Sequence, residues 1–203
     1  MDITALPVEG AWVVTPRLFP DGRGVFLESF RGDRLAEVVG HRMDVVQTNV
    51  SVSARGAVRG VHFADLPPGQ AKYVTVLSGS IVDFVVDIRV GSPTFGAWEA
   101  VPLDAVQRRA VYVSEGLGHA FCALEDDTTV LYLCSAAYDP DREHGVQPLD
   151  PDLGLVLPDG VTPLLSAKDG AAPTLAEAAD AGLLPTYAAC REWADHLGAQ
   201  RGN

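Results

Sequence analysis

The chain has 203 residues, 47% hydrophobic and 21% charged, with a formal net charge of −12. That length suffices for one well-buried domain and is short for two, and the composition excludes wholesale disorder. The acidic balance argues against nucleic acid or an anionic membrane as partner, but it leaves room for a small anionic ligand on a local basic patch.

The first two-thirds reads as short strands separated by Gly, Pro and Asp turns. Residues 33–39 form a short predicted helix ended by Gly40. Over residues 45–53, alternation puts Val45, Gln47, Asn49, Ser51 and Ser53 on one face and Val46, Thr48, Val50 and Val52 on the other. Residues 81–88 alternate likewise, with Val82, Phe84, Val86 and Ile88 against Ile81, Asp83, Val85 and Asp87. Further strands are predicted at residues 98–103, 110–113, 119–124 and 128–134. Many short strands at this spacing indicate an antiparallel sandwich or barrel. Helical signals return only near the end. Thr174-Leu175-Ala176-Glu177 is a capping box that opens an alanine-rich helix stopping near Gly182, and residues 187–197 form another. No linker interrupts the pattern, which predicts a single domain over 1–203, with a β core over about 8–165 and a helical region over about 170–203.

The most apolar stretch, residues 74–88, is broken by Ser78, Ser80, Asp83 and Asp87, so no membrane span is expected. The start of the chain lacks the basic-then-apolar pattern of a secretory signal, and the expected location is cytoplasmic. Cys122, Cys134 and Cys190 have no metal-type spacing and read as buried free thiols.

The chemistry concentrates in Arg59-Gly60-Val61-His62 and, ten residues on, Gln70-Ala71-Lys72-Tyr73, with Pro67-Pro68-Gly69 forcing a turn between them. A histidine takes a proton near neutral pH, and a fixed cation holds the negative charge left behind. The chain has thirteen arginines and two lysines, so a lysine inside an apolar stretch calls for a reason. By itself Lys72 also fits a solvated charge on an edge strand. Arg59 and His62 fall on opposite faces of a regular strand, and a bulge at Gly60 is the device that would bring them together. Gln47 and Asn49 on one strand face imply a wet, ligand-filled interior. No phosphate-binding glycine loop, nucleophile elbow or paired-histidine metal motif is present, and His41, His144 and His196 read as surface or structural.

Several segments, taken in order, resemble the dTDP-4-dehydrorhamnose 3,5-epimerase family. They begin with Asp21-Gly22-Arg23-Gly24-Val25-Phe26-Leu27-Glu28, Gln47-Thr48-Asn49, Arg59-Gly60-Val61-His62 and Pro67-Pro68-Gly69-Gln70-Ala71-Lys72-Tyr73. Asp87-Ile88-Arg89-Val90-Gly91-Ser92-Pro93-Thr94-Phe95-Gly96, Gly118-His119-Ala120-Phe121 and Tyr132-Leu133-Cys134-Ser135 continue the match. Tyr138, Arg142-Glu143-His144 and Ser166-Ala167-Lys168-Asp169 complete it, from about residue 8 to about residue 185. The resemblance implies an all-β, cupin-like antiparallel jelly-roll barrel with short, mainly C-terminal helices.

It also implies roles. His62 looks like the general base with Asp169 behind it, Lys72 like the stabiliser of an enolate, and Tyr132 like the general acid on the opposite face of the sugar. Arg59, His119 and Lys168 would contact diphosphate or sugar. Gln47, Asn49 and Glu143 would bind polar edges, and Tyr138 would stack on thymine. Arg23, Phe26 and Glu28 would reach in from the partner subunit of a homodimer. The implied reaction is inversion of carbons 3 and 5 of dTDP-4-keto-6-deoxy-D-glucose to give dTDP-4-keto-L-rhamnose, with neither metal nor other cofactor. Relatives that invert carbon 3 alone or carbon 5 alone keep nearly the same residues, so a mono-epimerase of an antibiotic deoxysugar pathway stands as the alternative. A metal-dependent cupin enzyme is a more distant one, because the first motif has only His62 where paired histidines are expected.

Overall fold

The computed structural model describes residues 1–200; the final residues of the predicted helical region, 201–203, lie outside the described residues. Strands β1 (Asp2–Ala5), β2 (Ala11–Thr15), β3 (Leu18–Asp21) and β4 (Gly24–Leu27) open the chain. Helix α1 (Gly32–Val39) follows, closed by Gly40 at φ 95°. Next come β5 (Gln47–Ser53), β6 (Val58–Ala64), β7 (Lys72–Ser78) and β8 (Ser80–Val86). They lead into β9 (Trp98–Asp104), β10 (Ala110–Val113), β11 (Gly118–Ala123), β12 (Thr128–Cys134) and β13 (Glu143–Gly145). Helices α2 (Ala167–Gly170), α3 (Leu175–Asp180) and α4 (Tyr187–Ala199) complete the described chain. Thr174 caps α3 through the reciprocal bonds expected of its capping box.

The strands form a cupin-like antiparallel jelly roll. One sheet runs β1-β2-β10-β7-β12-β5 and the other β13-β6-β11-β8-β9, with β3-β4 a separate hairpin. Alternation decides what each sheet shows to the other. Val74 and Val76, Val111 and Val113, and Val130 point inward from the first sheet. They meet Ile81, Val85, Val101, Leu103 and Phe121 of the second in one continuous core. The outer face of the second sheet is equally apolar. Phe63, Phe84, Val86 and Ile88 pack there against Leu153, Leu175, Ala178 and Leu184 of the C-terminal region. On the first sheet, Leu35 of α1 and the following Met43 cover Tyr73 and Tyr112.

That cover stops before β5. The strand begins at Gln47, two residues later than predicted, and it forms a sheet edge. Its valines face outward, with Val50 and Val52 each 59% exposed, while Gln47 and Asn49 face inward. The polarity of an ordinary sheet edge is therefore reversed here. Lys72, in contrast, is no edge charge. It begins β7, an interior strand held between β10 and β12, and is only 7% exposed.

Candidate active site

Between the two sheets opens a cavity of about 270 Å³. His62, Arg59 and His119 enter it from the second sheet; Tyr132, Lys72, Asn49 and Gln47 enter from the first. Arg59 and His62 reach the same cavity because β6 carries an extra residue. His119 pairs with His62 while Phe121, two positions on, pairs with Arg59, three positions back. Gly60 makes the close approach possible. Its φ is 125°, and a Cβ there would sit 2.5 Å from both the Ala120 Cβ and the His119 carbonyl oxygen. The bulge expected at Gly60 is thus the feature that assembles the cationic wall.

His62 Nε2 lies 2.6 Å from Asp169 Oδ1. Asp169 is held by Ser166, the residue before α2, whose hydroxyl donates to Oδ2 at 2.9 Å and accepts from the Asp169 backbone N–H. Burial raises the Asp169 carboxyl pKa, but the bonds from His62 and Ser166 outweigh it and hold the group below its ordinary value. With Nε2 engaged, Nδ1 is the nitrogen left to take a proton. Across the cavity, burial pushes the Tyr132 hydroxyl above its ordinary value, so it stays protonated at neutral pH. Burial pushes the Lys72 ammonium the other way, opposed chiefly by the charge of Glu143. Gln47 donates to the Asn49 side chain at 2.8 Å and accepts the Tyr138 backbone N–H at 2.8 Å, which ties β5 to the segment carrying Tyr138. Tyr138, Glu143 and Lys168 also line the cavity.

All the sequence-predicted site residues except three therefore converge. Arg23, Phe26 and Glu28 do not line this cavity. They sit on or just after the β3–β4 hairpin, where Arg23 pairs with Asp21, Glu28 pairs with Arg31, and Phe26 is 67% exposed. Four lining residues escaped prediction: Gln70, Phe121, His144 and Ser166. His144, expected to be surface or structural, borders the cavity with Nε2 2.7 Å from Asp65. Behind His119 stands a second unforeseen group, Asp83, fully buried, with Oδ2 2.7 Å from His119 Nε2 and Oδ1 without a partner. The signal was present, since Asp83 shares the inward face of β8 with Ile81 and Val85. Among the described residues, no three His, Cys, Asp or Glu side chains cluster as a metal would require.

A profile of the dTDP-4-dehydrorhamnose 3,5-epimerase family matches residues 5–177. The chain belongs to this family. It is 58% identical over 191 residues to a dTDP-4-dehydrorhamnose 3-epimerase of Streptomyces niveus, covering 94% of this chain and 92% of the relative. It is 55% identical over 197 residues to a dTDP-4-dehydrorhamnose 3,5-epimerase of Mycolicibacterium smegmatis, covering 97% of each. It also superimposes on ChmJ, a 3'-monoepimerase from Streptomyces bikiniensis in complex with dTDP-quinovose. That match has a TM-score of 0.94 and 52% identity, covering 97% of this chain and 99% of that one. Like other members of the family, the protein is a carbohydrate epimerase. Its relatives include enzymes named for inversion at two carbons and at one. No described helix is long and apolar enough to cross a membrane.

Proposed function

We propose that the protein converts dTDP-4-keto-6-deoxy-D-glucose to dTDP-4-keto-L-rhamnose by inverting carbons 3 and 5. One observation carries the reading: the candidate base and the candidate acid stand on opposite walls of one cavity, His62 on β6 and Tyr132 on β12. A 4-keto group acidifies the protons on both flanking carbons. His62 Nδ1 removes one, and Asp169 stabilises the imidazolium that forms. The electron pair moves onto the keto oxygen, where the Lys72 ammonium meets the developing enolate charge. The Tyr132 hydroxyl returns a proton from the other side, which inverts the centre. Arg59 favours the tyrosinate that remains, and exchange with water then resets both groups. Arg59, His119 and Lys168 supply donors for the diphosphate and sugar, and Tyr138, 54% exposed, offers a ring for the thymine.

The same reading makes the protein a homodimer. Val46, Val50 and Val52 beside the β5 edge, and Phe19, Val25 and Phe26 of the β3–β4 hairpin, each leave apolar surface uncovered. A second copy would cover it and deliver Arg23, Phe26 and Glu28 to its neighbour's cavity.

Proton NMR of the substrate in deuterated water tests the reaction. Exchange of hydrogen at both carbons, with dTDP-L-rhamnose formed when a 4-ketoreductase is coupled, is the expected result. Exchange at carbon 3 alone replaces the double reaction with a mono-epimerisation, the activity for which some relatives are named.

A further inference from the structure

Lys72 is buried, starts an interior strand and makes no ion pair within 4 Å among the described residues. An ammonium so placed needs a nearby anion to stay charged, or it gives up its proton. The cavity supplies Glu143 from β13, whose Oε1 accepts a 3.1 Å bond from Gln70 Nε2; Cys134 stands beside Lys72 in the β12–β7 register, but burial pushes its thiol up and keeps it neutral. A third group approaches from outside the cavity. Glu115 lies in the turn between β10 and β11, two residues beyond Val113, the β10 partner of Lys72. It does not line the His62 cavity; it borders a separate one of about 450 Å³, lined also by Trp12, His41, Arg89 and Trp193.

Its side-chain hydrogen bond leads to the segment that presents Lys72. Glu115 Oε1 accepts a 3.2 Å bond from the Ser135 hydroxyl. That hydroxyl accepts the Ala71 N–H at 2.8 Å, and the Ser135 N–H donates to the Ala71 carbonyl at 3.0 Å. The Glu115 side chain also closes over Gly69, where a Cβ would come within 2.7 Å of the Glu115 Cβ. The Gly69–Lys72 segment is thus clamped by Glu115 and Ser135 on one side and, through the Gln70 amide, by Glu143 and the Ala136 carbonyl on the other.

We propose that Glu115 is a positioning residue for the proposed epimerisation, bracing the Gly69–Lys72 segment through Ser135 and serving as a counter-charge behind the Lys72 ammonium. The inference rests on the role given to Lys72 above. The charges that bear on it are few. Lys72 faces Glu143, Cys134 and Glu115; Glu115, whose own carboxyl burial pushes up against the pull of its backbone bond, His41, Ser135 and Lys72, also faces Tyr112 and Cys190. Burial lowers the Lys72 pKa, and the carboxylates of Glu143 and Glu115 raise it. Removing the Glu115 charge must therefore lower it further, so the enzyme loses its protonated lysine at a lower pH.

The composition provides the test. Lys72 and Lys168 are the only lysines, so lysine ε-carbon NMR gives two signals, assigned by the loss of one in Lys168→Gln. Glu115→Gln keeps an oxygen for Ser135 and deletes the charge. The expected result is a resolvable fall in the Lys72 midpoint, with recovery in Glu115→Asp. In turnover, kcat should drop with little change in KM, and the alkaline limb of the pH profile should move down with the lysine. Coupling is reciprocal. In Lys72→Met the Glu115 carboxyl, read by its own carbon signal, must therefore move up in pH by a like amount, which serves if Glu115→Gln does not fold. A Lys72 midpoint unmoved in folded Glu115→Gln, or a Glu115 midpoint unmoved in Lys72→Met, overturns the proposal. These titrations need no turnover. Absence of proton exchange in the wild type would thus refute the epimerase reading and leave this one standing on its own measurement.

Discussion

Substituting Gly60 by alanine should break the site from a position that touches no substrate. The added Cβ would lie 2.5 Å from the Ala120 Cβ, 2.5 Å from the His119 carbonyl oxygen and 2.6 Å from the Ala120 Cα, all on the facing strand β11. None of these belongs to a flexible side-chain end, so the clash cannot be relieved by a rotamer change. The backbone at φ 125° is also one that an alanine adopts only under strain, costing about 1–3 kcal/mol. Overpacking against a fixed neighbour adds about 1–3 kcal/mol, for a total of about 2–6 kcal/mol. In a chain of this size each kcal/mol shifts Tm by roughly 2–4 °C, so a fall of roughly 4–24 °C should appear in a thermal melt. If the variant folds, β6 must part from β11 at the bulge, and the His62–His119 pairing goes with it. Solvent exchange into the substrate should then fall by at least about a hundredfold, the range seen when a general base is misplaced. A Gly60→Ala protein melting within about 2 °C of the parent, with exchange within about threefold, would refute the assignment of the bulge as the element that brings Arg59 and His62 together.

Asp169→Asn keeps a polar group against His62 but removes its charge, and exchange should drop about a hundredfold to ten-thousandfold; a loss under about tenfold would deny Asp169 its role. Tyr132→Phe should let deuterium into the substrate without matching inversion, because the enolate forms and is reprotonated from its original side. Equal loss of both signals would place Tyr132 in abstraction instead. Mixing inactive His62→Ala with an inactive Arg23→Ala, Phe26→Ala double variant should restore about a quarter of the parent activity, since half the dimers are mixed and each holds one intact site. No recovery after exchange of subunits would rule out a shared site. Asp87, buried, accepts bonds from Arg89, Ser92 and Thr94, which overcome burial and hold its pKa down to about 2. Its folded value lies below the unfolded one, so its stabilisation is present above about pH 4 and is lost as pH falls toward about 2. Asp87→Asn should cost about 3 kcal/mol at neutral pH by stranding Arg89, and chemical denaturation should show a shallower acid loss than in the parent.

The strands most legible in the sequence were those whose alternation is enforced by packing on both sides. Residues 81–88 are the example, with Phe84 and Ile88 buried outward and Ile81 and Val85 inward. The hairpin β3–β4 gave no such signal, since it packs into neither sheet and leaves Phe19 and Phe26 in the open. Gln47 and Asn49 announced the cavity because polar residues on an inward face need something wet to face. Lys72 was ambiguous, because nothing local says whether β7 is an edge or an interior strand; only the closure of the first sheet decides that. Of the residues overlooked, Ser166 was within reach: it stands three before Asp169 with the spacing of a helix cap. Phe121, Gln70 and His144 reach the cavity through long-range convergence, which no local pattern encodes.

His62 and Tyr132 are carried by different sheets, and those sheets meet through a core made mostly of valines, leucines and isoleucines, with Phe121. The gap a sugar ring must bridge is therefore set by the thickness of an oily layer, about 10 Å in face-to-face packings of this type. Phe121 belongs to that layer and to the cavity wall at once. Core mutations that shave or add a methyl group here would act as a spacer adjustment between proton donor and proton acceptor. The ratio of inverted to returned product, rather than melting temperature alone, becomes a gauge of how tightly the two sheets are held together.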